Sequence, residues 1–238
     1  MQVVVLESYD ALSVVAAAMV TDLVRVKPDA ALGLPTGATP EGFYRALITT
    51  GVSLERARLF NLDEYRGLPR AHPQSYYQYM RTHLFDHVPI SPGSVEIPDG
   101  MAPDPEVECR RYEAAIRAAG GLDVVVLGLG LNGHIGFNEP GTPWDARTRP
   151  VALDRVTRSA NARFFGSLGQ VPQEALTMGI GTILEARQIL LLASGSGKAE
   201  IVKRTVEGTP SVAVPATALQ GHPNVTVLLD REAAAALS

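Results

Sequence analysis

The sequence predicts an α/β protein: a three-layer, doubly wound, mainly parallel sheet with helices on both faces, built by residues 1–238 as a single domain. Three observations lead there. Short apolar runs alternate with amphipathic stretches along the whole chain, the rhythm of successive βαβ units. Two of the runs, DVVVL at 123–127 and ILLLA at Ile189–Ala193, are apolar almost without alternation, as strands covered on both faces require. The chain of 238 residues is 46% hydrophobic and 19% charged, ample for one sizeable core.

The elements follow in order. VVVL at 3–6 reads as a strand. Residues 11–25 carry Leu12, Val15, Met19 and Leu23 at three-to-four spacing and read as an amphipathic helix. ALGL, Ala31–Leu34, is a short buried strand. A helix is expected to start at Thr39-Pro40-Glu41, with Thr39 as its N-cap and Pro40 in the first position. Residues 58–62 form a strand, 75–87 a helix and 94–97 a short strand. Residues 106–119 form a helix closed by Gly120-Gly121. Beyond the strand at 123–127, a strand is expected at 151–154, a helix at 173–186, a strand at Ile189–Ala193, a helix at 197–207 and a last strand at 225–229.

Composition removes several classes. The net charge of −4 gives no basis for nucleic-acid or anionic-membrane partners. The single cysteine, Cys109, excludes an intrachain disulfide or a multi-cysteine metal site and fits a reducing, cytoplasmic setting. The start, MQVVVLESYDAL, has no basic leader region and does not read as a signal peptide. No run approaches the roughly 18 apolar residues of a membrane helix.

In doubly wound sheets ligands bind beyond the carboxyl ends of the strands. PTGATP follows Leu34, NLDEY follows Phe60, GLGLNGHIGFNEPG follows Leu127 and SGSGK follows Ala193. These four segments are expected to converge on one edge. Gly128, Gly130 and Gly133 match the dinucleotide fingerprint, but Gly136, Pro140 and Gly141 interrupt the helix it needs. SGSGK lacks the spacing of an ATP-type phosphate loop.

Within the four segments each group has a functional and a plain reading. The amides of PTGATP, a helix dipole and the Thr36 and Thr39 hydroxyls would make an anion site; a capped strand-to-helix turn fits the same residues. Lys198, in the first turn of a helix, opposes the dipole, which a ligand anion would explain; a solvated lysine is the alternative. Sequence does not choose among Arg147, Arg149, Arg155, Arg158 and Arg163. Asp63 and Glu64 are adjacent in an extended chain, so at most one faces a pocket, as a general base or a turn cap. His134 and Glu139 are the sharper pair, a group that titrates near neutrality beside a carboxylate. The glycines around them are expected to leave room for a ligand. His72, His83, His87 and His222 read as structural. Zinc at His134 lacks a second His or Cys at ligand spacing, so no metal is expected.

LGLPTGATP, FNLDEYRGL, HPQSYYQYMRTHLFDHV, GLGLNGHIGFNEPGT, TRSANARFF, EALTMGIGTILEARQ and SGSGKAEIV occur in this order. Together they resemble the glucosamine-6-phosphate deaminases, from near residue 30 to about residue 230. The resemblance implies an α/β sandwich that converts D-glucosamine 6-phosphate and water to D-fructose 6-phosphate and ammonia, with no cofactor. It implies that Asp63 moves the proton between C2 and C1. It implies that His134 opens the pyranose ring, with Glu139 in the same relay, and that Thr36, Gly37, Ala38, Thr39, Arg158 and Lys198 clamp the phosphate.

Three positions depart from the family pattern. Asn132 stands where the longer members carry an aspartate; it can hydrogen-bond His134 but cannot balance an imidazolium. Ala38 stands where a second glycine is common. The chain ends soon after LLDREAAAALS, where the longer members continue into an extension that goes with a hexamer activated by N-acetylglucosamine 6-phosphate. An unregulated monomer or small homo-oligomer is therefore expected. The nearest rival is a 6-phosphogluconolactonase-like hydrolase, against which IGFNEPG and DEY weigh. A sugar-phosphate sensor would need a DNA-binding region ahead of the first strand.

Overall fold

The computed structural model describes residues 1–91, 93–153 and 155–238. Asp154, the expected end of one strand, and the side chains of Arg155 and Arg163 lie outside the described residues.

In chain order the strands of the main sheet are β1 (Gln2–Leu6), β2 (Ala31–Leu34), β3 (Arg58–Asn61), β5 (Val95–Glu96), β6 (Val124–Gly128), β9 (Ile189–Ala193) and β10 (Val225–Asp230). They lie in the order β1-β10-β9-β6-β2-β3-β5, all parallel. A second, antiparallel sheet holds β4 (Asp63–Tyr65), β8 (Glu174–Thr177) and β7 (Arg149–Ala152), with β8 in the middle.

Alternate strand residues divide the core between two faces. Phe60, Val125, Leu127, Leu191 and Val227 pack on one side with Tyr112, Ile116, Ile183 and Ile201. Leu32, Leu34, Leu59, Val126 and Leu190 pack on the other with Leu12, Val20, Phe43, Leu47 and Met80. Helices therefore cover both faces, as the sequence predicts. Each fully buried Leu, Val or Phe stabilises the fold by about 1.5–3 kcal/mol.

The helices are α1 (Tyr9–Val26), α2 (Ala38–Thr49), α3 (Tyr76–Met80), α4 (Pro105–Ala118), α5 (Arg155–Phe165), α6 (Ile180–Leu184) and α7 (Ala199–Val206). Helix α1 shows local sequence at work. Ser8 caps it by accepting from the Ala11 amide at 3.2 Å, and Leu12, Ala16, Val20 and Val24, four apart, form its buried stripe.

Four expectations need correction. Helix α2 starts at Ala38, and its N-cap is Gly37, not Thr39. Gly37 has φ 107°, a value that β-branched Thr39 could not adopt at the cap. Pro40 falls inside the first turn, where its missing N–H costs nothing. Residues 173–186 are not one helix but strand β8 followed by the short α6. The buried run Ala175, Leu176 and Thr177 has a partner strand on each side, which overrides its helical spacing. Residues 75–87 split into α3 and a π-helical turn, Arg81–Phe85. The 197–207 helix opens with a 3₁₀ turn, Ser196–Lys198. Strand β4 and helix α5 were not foreseen.

Candidate active site

The four glycine-rich or polar segments do converge. Strands β9, β6, β2 and β3 are consecutive neighbours and run parallel, so SGSGK, GLGLNGH, PTGATP and NLDEY leave the same edge side by side. Chain order reverses between β6 and β2, the crevice where such sheets take ligands.

Asp63 reaches the site by a change of sheet. The chain leaves β3 after Asn61; the Met178 amide donates to the Leu62 carbonyl at 2.7 Å, and Asp63 pairs with Thr177 in the small sheet. Its residue is 6% exposed. Burial, and then the charge of Glu64, push the Asp63 carboxyl up to about 8. Among the described residues no hydrogen bond reaches that carboxylate to oppose the shift. Glu64 turns the other way and accepts from the amides of Tyr65 (2.8 Å), Tyr76 (3.0 Å) and Tyr77 (3.1 Å). Burial pushes it up to about 7, although these three amides and Arg70 pull it down. Of the two adjacent acids, Glu64 is the cap and Asp63 the free carboxylate.

The loop after β6 carries the second group. His134 lies against Gly130, where a Cβ would come within 2.4 Å of three imidazole atoms. Gly136 has φ 56°, and a Cβ there would lie 3.1 Å from Thr177 Oγ1 and 3.6 Å from Asp63 Oδ2. Gly128 and Gly141 do face open space, as room for a ligand requires. Gly130 and Gly136 instead let parts of the protein approach: the first admits the imidazole, the second brings the histidine loop onto Asp63. That corrects the expectation that the glycines simply make room.

His134 Nδ1 is buried and points at Glu139 Oε1 from 3.5 Å, an ion-pair distance rather than a settled hydrogen bond. Glu139 also accepts from Asn132 Nδ2 at 2.6 Å and Thr157 Oγ1 at 2.8 Å. Burial raises its carboxyl, but His134, Thr157 and Asn132 together outweigh that and hold it at about 2. Asn132 does not meet the imidazole: its Oδ1 accepts from the backbone amide of His134 at 3.2 Å. Arg149 braces the loop, with Nη1 on Asn138 Oδ1 at 2.8 Å and Nη2 on Thr142 Oγ1 at 3.3 Å. Asn138 in turn donates to the carbonyls of Ile135 and Met178, both at 2.8 Å.

The anion-binding candidates are only partly gathered. Thr36, Gly37, Ala38 and Thr39 form the turn into α2. Lys198 Nζ reaches across to the Leu129 carbonyl at 2.6 Å, at the root of the histidine loop, and burial lowers its pKa. Arg158 Nη2 lies 3.2 Å from the carbonyls of both Leu168 and Val171, while its buried Nε has no hydrogen-bond partner among the described residues. Among the described residues no hydrogen bond or ion pair joins Arg158 to the turn or to Lys198. Thr157, Asn138 and Thr177 lie inside the motifs that carry the family resemblance, and Arg149 is among the arginines the sequence leaves unresolved, but none was singled out for the site. Among the described residues no three His, Cys, Asp or Glu side chains gather as metal ligands.

Comparison with known proteins decides the family. Residues 7–228 match the model of the glucosamine-6-phosphate isomerases/6-phosphogluconolactonase. The chain is 50% identical, over 98% of its length, to glucosamine-6-phosphate deaminase of Bacillus velezensis, 99% of which is covered. The same identity and share of this chain hold for glucosamine-6-phosphate deaminase 1 of Bacillus subtilis. This chain is a member of the glucosamine-6-phosphate deaminase family. A solved monomeric glucosamine-6-phosphate deaminase superposes with a TM-score of 0.96 at 50% identity, covering 99% of this chain and all of that one. The 6-phosphogluconolactonase of Trypanosoma brucei superposes at 0.79 with 23% identity, a likeness of fold alone. The deaminase family is thus the close kin and the lactonases distant structural relatives.

Proposed function

We propose that this deaminase-family chain converts D-glucosamine 6-phosphate and water to D-fructose 6-phosphate and ammonia. The observation that carries the reading is the meeting, across Gly136, of a buried carboxylate free of donors with a histidine–glutamate pair.

The chemistry needs three proton movements. Opening the pyranose takes a proton from the C1 hydroxyl and gives one to the ring oxygen. His134 is suited to this: Nδ1 faces Glu139, so Nε2 is left for the sugar, and the ionised Glu139 balances the imidazolium. With Asn132 neutral, Glu139 is the carboxylate of this relay, and Asn132 and Thr157 each supply it a neutral donor. Next, Asp63 takes the proton from C2, next to the new aldehyde, and returns it to C1 through an enediol-like species. A carboxyl lifted toward neutrality is a stronger base than an ordinary one and can still give the proton back. Last, water adds at C2 and the amine leaves as ammonia. None of these steps calls on a cofactor.

The turn at 36–39 and Lys198 bind the phosphate through amides and charge. Arg158 joins this clamp through its remaining N–H groups, with Nη2 anchored on the Leu168 and Val171 carbonyls. The chain acts in the cytoplasm as a monomer without an effector; the monomeric relative at 50% identity supports the monomer.

The test is ammonia and fructose 6-phosphate measured together from glucosamine 6-phosphate, beside hydrolysis of 6-phosphogluconolactone by the same preparation. Equal amounts of ammonia and ketose are expected, with hyperbolic kinetics unmoved by N-acetylglucosamine 6-phosphate. Rapid lactone hydrolysis without ammonia would overturn the assignment.

A further inference from the structure

The turn at 36–39 is held from behind by tyrosines that sequence reasoning passed over. Tyr44 Oη donates to the Pro35 carbonyl. Tyr79 Oη donates to the Gly37 carbonyl at 2.6 Å. Tyr9 Oη lies 3.2 Å from the Ala38 carbonyl and 2.8 Å from that of Thr39, and accepts from the Gly42 amide at 2.7 Å. The Tyr9 hydroxyl is thus inserted into the first turn of α2, between Gly42 N–H and the carbonyl it would otherwise meet. Gly42 is what admits it: a Cβ there would lie 2.7 Å from Tyr9 Cζ and 2.8 Å from its hydroxyl.

The consequence follows from peptide geometry. In a trans peptide the carbonyl of one residue and the N–H of the next point in opposite directions. Fixing the carbonyls of Pro35 and Gly37 on the tyrosine side aims the amides of Thr36 and Ala38 the other way, and the Tyr9 hydroxyl, whose shorter contact is the Thr39 carbonyl, holds the helical turn that carries the Thr39 amide. Among the described residues these amides have no backbone acceptor outside the helix, and as first-turn groups Ala38 and Thr39 have none within it. Three donors therefore stand free and pre-aimed. Burial lifts the phenols of Tyr44 and Tyr79 well above their ordinary value, so both hydroxyls stay protonated donors.

We propose that Tyr9, Tyr44 and Tyr79 are positioning residues for the substrate phosphate: three hydroxyls set the peptide planes of the turn so that its amides are organised before the anion arrives. The inference rests on the reading of 36–39 as the phosphate clamp. It assigns to tyrosines that do not touch the ligand a part of its affinity, because an organised turn spends less binding energy on being ordered.

The test removes single hydroxyls. Tyr9→Phe and Tyr79→Phe keep the rings and are made beside Tyr77→Phe, whose ring lies over the Arg70 guanidinium, as a control. Kinetics with glucosamine 6-phosphate are read together with competitive inhibition by inorganic phosphate. Each hydroxyl deletion should raise KM and the phosphate inhibition constant together, by roughly three- to tenfold, the scale of one lost hydrogen bond. kcat should stay within about twofold, because the phosphate contact is made equally in ground and transition states. That split is not what a general loss of structure gives. Wild-type constants for both variants, while Lys198→Ala weakens both, would overturn the positioning role and leave the clamp. Wild-type constants for Lys198→Ala as well would overturn the clamp, and the positioning role with it.

Discussion

Asp63 and Glu64 are neighbours in sequence and opposites in role. Both are buried and both have raised pKa values, yet three amides donate to Glu64 while none reaches Asp63. Asp63→Asn keeps the size of the side chain but removes the carboxylate proposed as the base. We expect kcat to fall by at least about 10²–10⁴ with KM changed only a few-fold, read from steady-state ammonia release. Full turnover in that variant would send the search for a base elsewhere. The sign of the pH effect is also fixed. The proposed base acts in its ionised form and its pKa is lifted, so kcat/KM should rise with pH through a limb well above the ordinary carboxylate value. An acidic limb near 4 would contradict the burial of Asp63 in the free enzyme.

Among elements, the loop between β6 and β7 and the small sheet decide the geometry. Gly136 lies where this loop meets Asp63 and Thr177, and its φ of 56° is strained for any residue with a Cβ. Gly136→Ala should shift the loop from the carboxylate, lowering kcat at least about tenfold and stability by about 1–2 kcal/mol. Urea unfolding and steady-state kinetics on one preparation separate the two effects; an alanine variant of wild-type kcat would show that the approach is not needed. The loop itself was legible, because a histidine and a carboxylate among glycines at a strand end are chemically conspicuous. Strand β4 was not, since three residues, DEY, carry no periodicity. The helix expected at 173–186 failed for a related reason: a short apolar run cannot distinguish a buried strand from a buried helix until its neighbours are known.

At the scale of the molecule the carboxylates of Glu139 and Asp63 pull stability in opposite directions with pH. Glu139, held at about 2, stabilises the fold above its unfolded pKa, and that contribution is lost as pH falls toward 2. Asp63, lifted to about 8, favours the fold when protonated, and that contribution is lost as pH rises from about 4 through 8. Thermal unfolding followed against pH should show both trends. In Glu139→Gln the added loss of stability between pH 4 and 2 should shrink, and in Asp63→Asn the decline toward pH 8 should flatten. Unchanged slopes in both variants would mean that neither group is linked to folding.

The sequence by itself determined the alternation of strands and helices, the segments that follow each strand, and the chemical types at Asp63, His134, Glu139 and Lys198. These follow from local facts: apolar periodicity, glycine and proline placement, and titratable groups. Tertiary structure alone decided the rest. It turned Glu64 onto three amides and left Asp63 without a donor, placed Asn132 on Glu139 rather than on the imidazole, anchored Arg158 Nη2 on two carbonyls and gathered Tyr9, Tyr44 and Tyr79 behind one turn. Each of those outcomes depends on which residues distant in sequence come within hydrogen-bond reach. That is set by the packing of whole elements, which no local pattern encodes.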